Sequence, residues 1–348
     1  MEPVIQLNHI SKEYKILNRR EGLKGSFQDL FSRNYRVIKA VNDISMSINK
    51  GEMVGYLGPN GAGKSTTIKM MTGVLEPSSG EISIAGRVPY KNRTKNAQEI
   101  GVVFGQRSQL WWSLPVIESF KILRDIYQVD TKAYKDMLEY YDSLIDVREL
   151  YGKPVRQLSL GQRTLCDILA AFLHNPQVVF LDEPTIGLDV TMKSKIRELI
   201  KHLNQDKNMT VILTTHDMGD VDALCKRIII IDKGTALYDN HIENLRHYFG
   251  AYRTLKVILG KKASDYKKEA SEMTADELEA QIRKHFIAAK ALSVSANEEW
   301  LDVLINEDEV SMINVLNYIQ EIVNIQDLKL EEISTESIIK KIYEGGIQ

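Results

Sequence analysis

Gly58-Pro59-Asn60-Gly61-Ala62-Gly63-Lys64-Ser65 is preceded by Met53-Val54-Gly55-Tyr56-Leu57 and followed by Thr66-Thr67-Ile68-Lys69-Met70-Met71. The first flank reads as a short buried strand and the second opens a helix, so the G-x-x-x-x-G-K-S pattern stands in a strand-loop-helix setting. In that setting the three glycines let backbone N–H groups turn inward around a polyphosphate, and the helix N-terminus adds partial positive charge. Lys64 is placed to neutralise β and γ oxygens, and Ser65, with Thr66 behind it, offers a hydroxyl to Mg²⁺. The chemistry expected is nucleotide binding assisted by Mg²⁺.

Outward from the loop, the chain of 348 residues is 43% hydrophobic and 26% charged, enough to bury a sizeable core and to divide into two domains. Its net charge of −2, with acids and bases mixed along the chain, gives no electrostatic case for nucleic acid as a partner. Apolar runs such as Ile228-Ile229-Ile230-Ile231 are strand-length, so none spans a bilayer. The beginning Met1-Glu2-Pro3-Val4-Ile5 lacks a secretory pattern. Cys166 and Cys225 have no metal-type spacing and read as buried thiols in a reducing compartment.

Val4 to Leu7 is strand-like and leads into Ile10-Ser11-Lys12-Glu13-Tyr14; a second strand runs through Ala40 to Ile48 with apolar and polar residues alternating. Between them, Leu23, Phe27, Leu30 and Phe31 recur at helical spacing and predict an inserted amphipathic helix at about 20–33, packed on its own domain or docked on a partner or membrane surface. Tyr134 to Leu150 has a helical pattern. Arg163 to His174 is a second helix former, stopped by Asn175-Pro176. Val178-Val179-Phe180-Leu181 predicts a fully buried parallel strand ending in Asp182-Glu183, and acids at such a strand end face the crevice where α/β folds bind ligands. A helix, the strand Thr210 to Thr215, His216, another helix and the Ile228 strand complete an α/β domain of residues 1–245, with a helical subdomain at about 107–175. Residues 246–348 change texture. Strand, helix, two strands, helix and strand predict a small ferredoxin-like α/β sandwich with a final helix from Thr335 to Tyr343, an accessory domain without a catalytic constellation.

The order and spacing of phosphate loop, Gln106, Leu158-Ser159-Leu160-Gly161-Gln162, Phe180-Leu181-Asp182-Glu183, Gly187-Leu188-Asp189 and His216 resemble the ATP-binding subunit of ABC transporters over roughly residues 4 to 245. The Ser-x-Gly-Gln signature just ahead of the hydrophobic strand sets this family apart from other phosphate-loop NTPases. The resemblance implies an ABC-type P-loop ATPase fold that hydrolyses ATP, with Asp182 holding Mg²⁺ through its water shell. It implies Glu183 as the general base, and Gln106 as the glutamine whose amide reaches the metal or attacking water. Gln109 lies close by, but the spacing to Leu110 and to Val116-Ile117-Glu118 favours Gln106. It further implies His216 at the γ-phosphate and Tyr14 stacked on adenine. Ser159, Gly161 and Gln162 of the signature would meet a nucleotide held by a second ATPase subunit, so that the active species is a dimer, and Asp189 would also contribute to nucleotide binding. Leu160 departs from the commonest Leu-Ser-Gly-Gly-Gln, leaving the Ser159 hydroxyl and the Gly161 N–H as donors.

The C-terminal domain, Leu110-Trp111-Trp112, Thr185-Ile186-Gly187-Leu188-Asp189 and the insertion near Phe31 are most similar to ATPases of bacterial ABC-2 type exporters. That implies integral membrane permease subunits as partners and a peripheral place on the cytoplasmic face of the cell membrane. Trp111 and Trp112 would anchor a permease. The alternatives are the ATPase of an importer and a soluble ABC ATPase of translation or DNA repair, whose double cassettes or long coiled coils this chain lacks.

Overall fold

The computed structural model describes residues 3–17, 35–104, 107–248, 250–259, 274–287, 292–297 and 300–343. Both the 20–33 stripe and Gln106 lie outside these. Contacts divide the chain into Met1–His241 and Ile242–Gln348.

In the first unit β1 (Pro3–Leu17) pairs antiparallel with β2 (Tyr35–Asn49), and also with β4 (Ser79–Ile84), giving a three-stranded sheet β2-β1-β4. Alternation in the sequence becomes alternation in burial here: Ile44, Met46 and Ile48 of β2 point into a core shared with Val4, Ile5 and Leu7. The second sheet is built from β3 (Met53–Leu57), β5 (Ile100–Phe104), β6 (Val178–Asp182), β7 (Thr210–Thr214), β8 (Arg227–Asp232) and β9 (Thr235–His241), in the order β5-β6-β7-β3-β8-β9. All its pairings are parallel except β8 with β9. Covered on both faces, β6 and β8 bury Val178 to Leu181 and Ile228 to Ile231 completely, which is why they read as unbroken apolar runs. The chain runs from β7 to β8 on opposite sides of β3, so the carboxyl end of β3 lies where the winding direction changes, the position at which α/β sheets hold ligands.

Helix α1 (Lys64–Met71) leaves β3 through the phosphate loop and buries Ile68, Met70 and Met71. The stretch predicted as one helix over Tyr134 to Leu150 is two: Thr131–Leu144, capped by Asp130, and a short turn Arg148–Tyr151, because Ile145 is extended. The next helix, α2 (Leu160–Phe172), begins three residues before the predicted Arg163, where Ser159 and Gln162 form a capping box.

The second unit threads β10 (Tyr252–Leu259), the helix Ala275–His285, β11 (Ser293–Asn297), β12 (Trp300–Asn306), the helix Met312–Ile322 and β13 (Ile325–Glu332) into an antiparallel sheet of order β11-β12-β10-β13. Leu255, Val257, Val303 and Ile305 of the sheet pack against Leu278, Ile282, Val315 and Ile319 of the two helices. This β-α-β-β-α-β topology is ferredoxin-like.

Candidate functional site

At the carboxyl ends of β3, β6 and β7 lies a cavity of about 460 Å³ lined by Ala40, Pro59, Asn60, Gly61, Gly63, Lys64, Ser65, Thr66, Asp182, Glu183, Ile186 and His216. The glycines of the loop are there for different reasons. A Cβ on Gly58 would sit 2.5 Å from the Ile231 carbonyl oxygen, and one on Gly63, at φ +107°, would sit 2.5 Å from that of Ala40. Gly61 meets nothing within 4 Å; its φ of +83° alone favours glycine. The loop is thus held close to β2 and β8 with its backbone facing the cavity, a cradle that any added side chain would distort.

Lys64 Nζ donates to the carbonyl oxygens of Gly58 at 2.5 Å and Pro59 at 3.2 Å, folding the side chain back over its own loop. Burial lowers its pKa, and the Glu183 and Asp182 carboxylates oppose that by favouring the charged amine. Asp182, the last residue of β6, accepts from Thr214 Oγ1 of β7 at 2.5 Å, which fixes its carboxylate at the strand end. Glu183 takes a backbone φ of +54°, and its N–H donates to the Thr214 carbonyl oxygen at 2.9 Å. A left-handed non-glycine residue is uncommon and marks a place where the surroundings over-determine the backbone. Leaving the strand this way, Glu183 puts Oε1 3.2 Å from Nε2 of His216, which follows β7 by two residues.

The remaining candidates are dispersed. Tyr14 is 39% exposed and does not line the cavity, although its strand partner Ile38 is two residues from Ala40, which does. Ser159, Gly161, Gln162 and Asp189 also lie off its lining. Ser159 Oγ accepts the Gln162 N–H at 3.2 Å while Gln162 Oε1 accepts the Ser159 N–H at 3.0 Å, so both cap α2; the hydroxyl proton is still free to be donated elsewhere. Gly161 faces α3 (Val190–Lys207), where a Cβ would meet Met192 Cγ at 2.6 Å. Asp189 caps α3 by accepting the Met192 N–H at 2.9 Å. The S-x-x-Q spacing of 159–162 carries a capping-box signal that a reading for ligand donors passes over. Nothing in the local pattern marked Ala40 and Ile186 as cavity residues; they arrive through tertiary packing.

A family model described as "ABC transporter" matches residues 41–186. "ABC transporter ATP-binding protein NatA" of Bacillus subtilis is 35% identical over 62% of this chain and 87% of its own length. The chain belongs to the ATP-binding proteins of ABC transporters. It is therefore an ATP hydrolase that powers a transporter. The "Linearmycin resistance ATP-binding protein LnrL" of B. subtilis is 39% identical over 56% of this chain and 62% of its own length. "Methionine import ATP-binding protein MetN 2" of Enterococcus faecalis is 28% identical over 69% of this chain and 65% of its own length. Among solved structures, a dimeric bacterial ABC transporter cassette superposes with a TM-score of 0.55 at 26% identity, covering 68% of this chain and 98% of that one.

Proposed function

We propose that the cavity over Lys64, Ser65, Asp182, Glu183 and His216 binds ATP with Mg²⁺ and hydrolyses it, and that the energy drives export through integral membrane permease subunits. The observation that carries this reading is the convergence of one cation, one metal-type hydroxyl, two carboxylates and an imidazole on a single glycine-lined cradle. Among the described residues no group of three or more His, Cys, Asp or Glu could hold a metal ion. Mg²⁺ keeps several waters and uses one or two carboxylates beside substrate phosphates, and Ser65 with Asp182 meets that need. Gln106 would add an amide at the same place. When bound, the ion supplies charge neutralisation at the phosphate oxygens. Glu183 accepts a proton from the attacking water, and His216, within reach of the Glu183 carboxylate, orients toward the γ-phosphate. Tyr14, on the strand pair leading to Ala40, offers its ring to the adenine.

Ser159, Gly161, Gln162 and Asp189 lie off the cavity of their own chain, which favours their action on the nucleotide of a second ATPase subunit. In this reading residues 1–245 form the ATP-binding domain and 246–348 an accessory domain. Among the described residues no helix is long and apolar enough to cross a membrane, and the likeness to ATP-binding subunits supports attachment through the permease. Export is favoured by the likeness to LnrL, a resistance protein, at higher identity than the importer MetN 2.

Trp111 and Trp112 are 38% and 56% exposed on the loop that follows Gln106, with the Arg163 guanidinium of α2 5.6 Å from the Trp112 ring. Large aromatics held on a surface loop suit an interface anchor. The test is to co-purify the chain with the membrane proteins encoded beside it and follow ATP-driven movement in inverted vesicles. Replacing both tryptophans by Ala is expected to leave ATP binding by the isolated subunit intact while weakening co-purification and abolishing transport. Normal assembly and transport by the double variant would assign the pair to the domain's own packing, and ATP-driven loss of substrate from inverted vesicles would indicate import.

A further inference from the structure

The loop after Glu183 and the turn before His216 are tied to one carboxylate that does not line the cavity. Asp220, in α4 (Met218–Leu224), is fully buried. Its Oδ2 accepts from Thr185 Oγ1 and, at 3.1 Å, from Thr215 Oγ1; its Oδ1 accepts from Arg197 Nε of α3 at 2.6 Å. Thr185 lies two residues beyond Glu183, and Thr215 is the residue before His216. The neighbouring Asp217 completes the arrangement. Its N–H donates to Thr215 Oγ1 at 2.9 Å, its Oδ2 accepts from Lys193 Nζ at 2.5 Å and its Oδ1 from Arg197 Nη2 at 3.4 Å. A buried carboxylate is tolerated only when paired and hydrogen-bonded, and here the donors come from three separate segments. Each segment is either next to a residue of the cavity or, in α3, directly beyond the 185–189 loop.

We propose that Asp220 is a positioning residue for ATP hydrolysis: through Thr185 and Thr215 it locks the two backbone segments that set the 3.2 Å approach of His216 to Glu183. The proposal rests on the reading of Glu183 as the base. The left-handed backbone at Glu183 needs such a support, because the turn that follows must be held against the end of β7. Thr185 is the point at which the support can be cut with least damage, since Val keeps its shape and removes only the hydroxyl, leaving the Arg197–Asp220 pair in place.

The experiment compares steady-state Mg-ATP hydrolysis by the full chain as wild type and as Thr185→Val, Thr185→Ser and Glu183→Gln, with thermal midpoints and ATP affinity measured alongside. Loss of alignment in a site of this kind is expected to lower kcat by about tenfold or more in Thr185→Val, with KM and ATP affinity within about threefold of wild type, and Thr185→Ser should restore kcat to within about threefold. A Thr185→Val enzyme with wild-type kcat overturns the proposal. So does a loss that Thr185→Ser shares, or one that lies in KM. Should Val at 185 prevent folding, Thr215→Val, read in the same way, decides the matter through the second hydroxyl. Full activity of Glu183→Gln would overturn the underlying reading of the base, whereas an inactive Glu183→Gln beside an unaffected Thr185→Val removes the positioning role alone.

Discussion

Lys64 is the one side-chain cation in the cavity's phosphate loop, and its amine is held by carbonyls of that same loop rather than by a carboxylate. Swinging it onto phosphate oxygens exchanges two neutral acceptors for charged ones, which are the stronger partners. Lys64→Ala should therefore weaken ATP affinity by roughly 10- to 100-fold, the worth of a hydrogen bond to a charged group, and calorimetry with Mg-ATP reads it directly. Unchanged affinity would make the loop a structural turn. The residues of this loop were legible in the sequence because each answers a local demand: positive φ, close approach of strands, a cation at a helix start. Those of the signature were legible only in part. The sequence marks Ser159 and Gln162 as polar donors, yet within one chain they are occupied as a helix cap, and a role toward a partner's nucleotide adds to that job rather than replacing it.

Among the elements, the parallel strands were the easiest to read, since full burial on two faces demands unbroken apolar runs such as Ile228 to Ile231. The break in the helix at Ile145 is not visible in the sequence because its apolar residues keep helical spacing across it, while the backbone turns extended at Ile145, whose N–H closes the last turn on the Tyr141 carbonyl oxygen. Beyond α2, His174 is stacked on Tyr127 at 3.9 Å with its Nε2 at 3.0 Å from the Ile100 carbonyl oxygen. Burial pushes its pKa down to about 4, with the Ile100 carbonyl and Glu99 opposing. An unfolded histidine takes up its proton near pH 6.5 and the folded one only near 4, so in that window the unfolded state binds more protons and stability falls as pH falls. Buried Asp167 opposes this: desolvation raises its carboxyl to about 6, so the folded state takes up that proton first on acidification. Urea titrations should show His174→Gln losing less stability than wild type between pH 7 and pH 4, by up to about 3 kcal/mol. Parallel losses in the two proteins would mean that the ring is charged in the fold.

For the whole molecule, what the sequence could not supply was the geometry that brings Ala40, the loop after β3, the end of β6 and the turn after β7 to one cavity, because those segments meet only through sheet order. The same geometry leaves the signature residues away from that cavity, and the account therefore requires two copies, or this chain and a related one, to close on ATP. Glu183→Gln tests that most directly, since it removes the base while leaving the loop, Asp182 and Ser65 to hold nucleotide. In this variant hydrolysis should fall by roughly 10²–10⁴-fold, and light scattering should show a mass twice that of the monomer with Mg-ATP and the monomer mass without it. Wild-type turnover by Glu183→Gln would contradict the account, and so would a monomer, alone or mixed with a related ATPase chain encoded beside it, at saturating Mg-ATP under conditions where calorimetry shows the nucleotide bound.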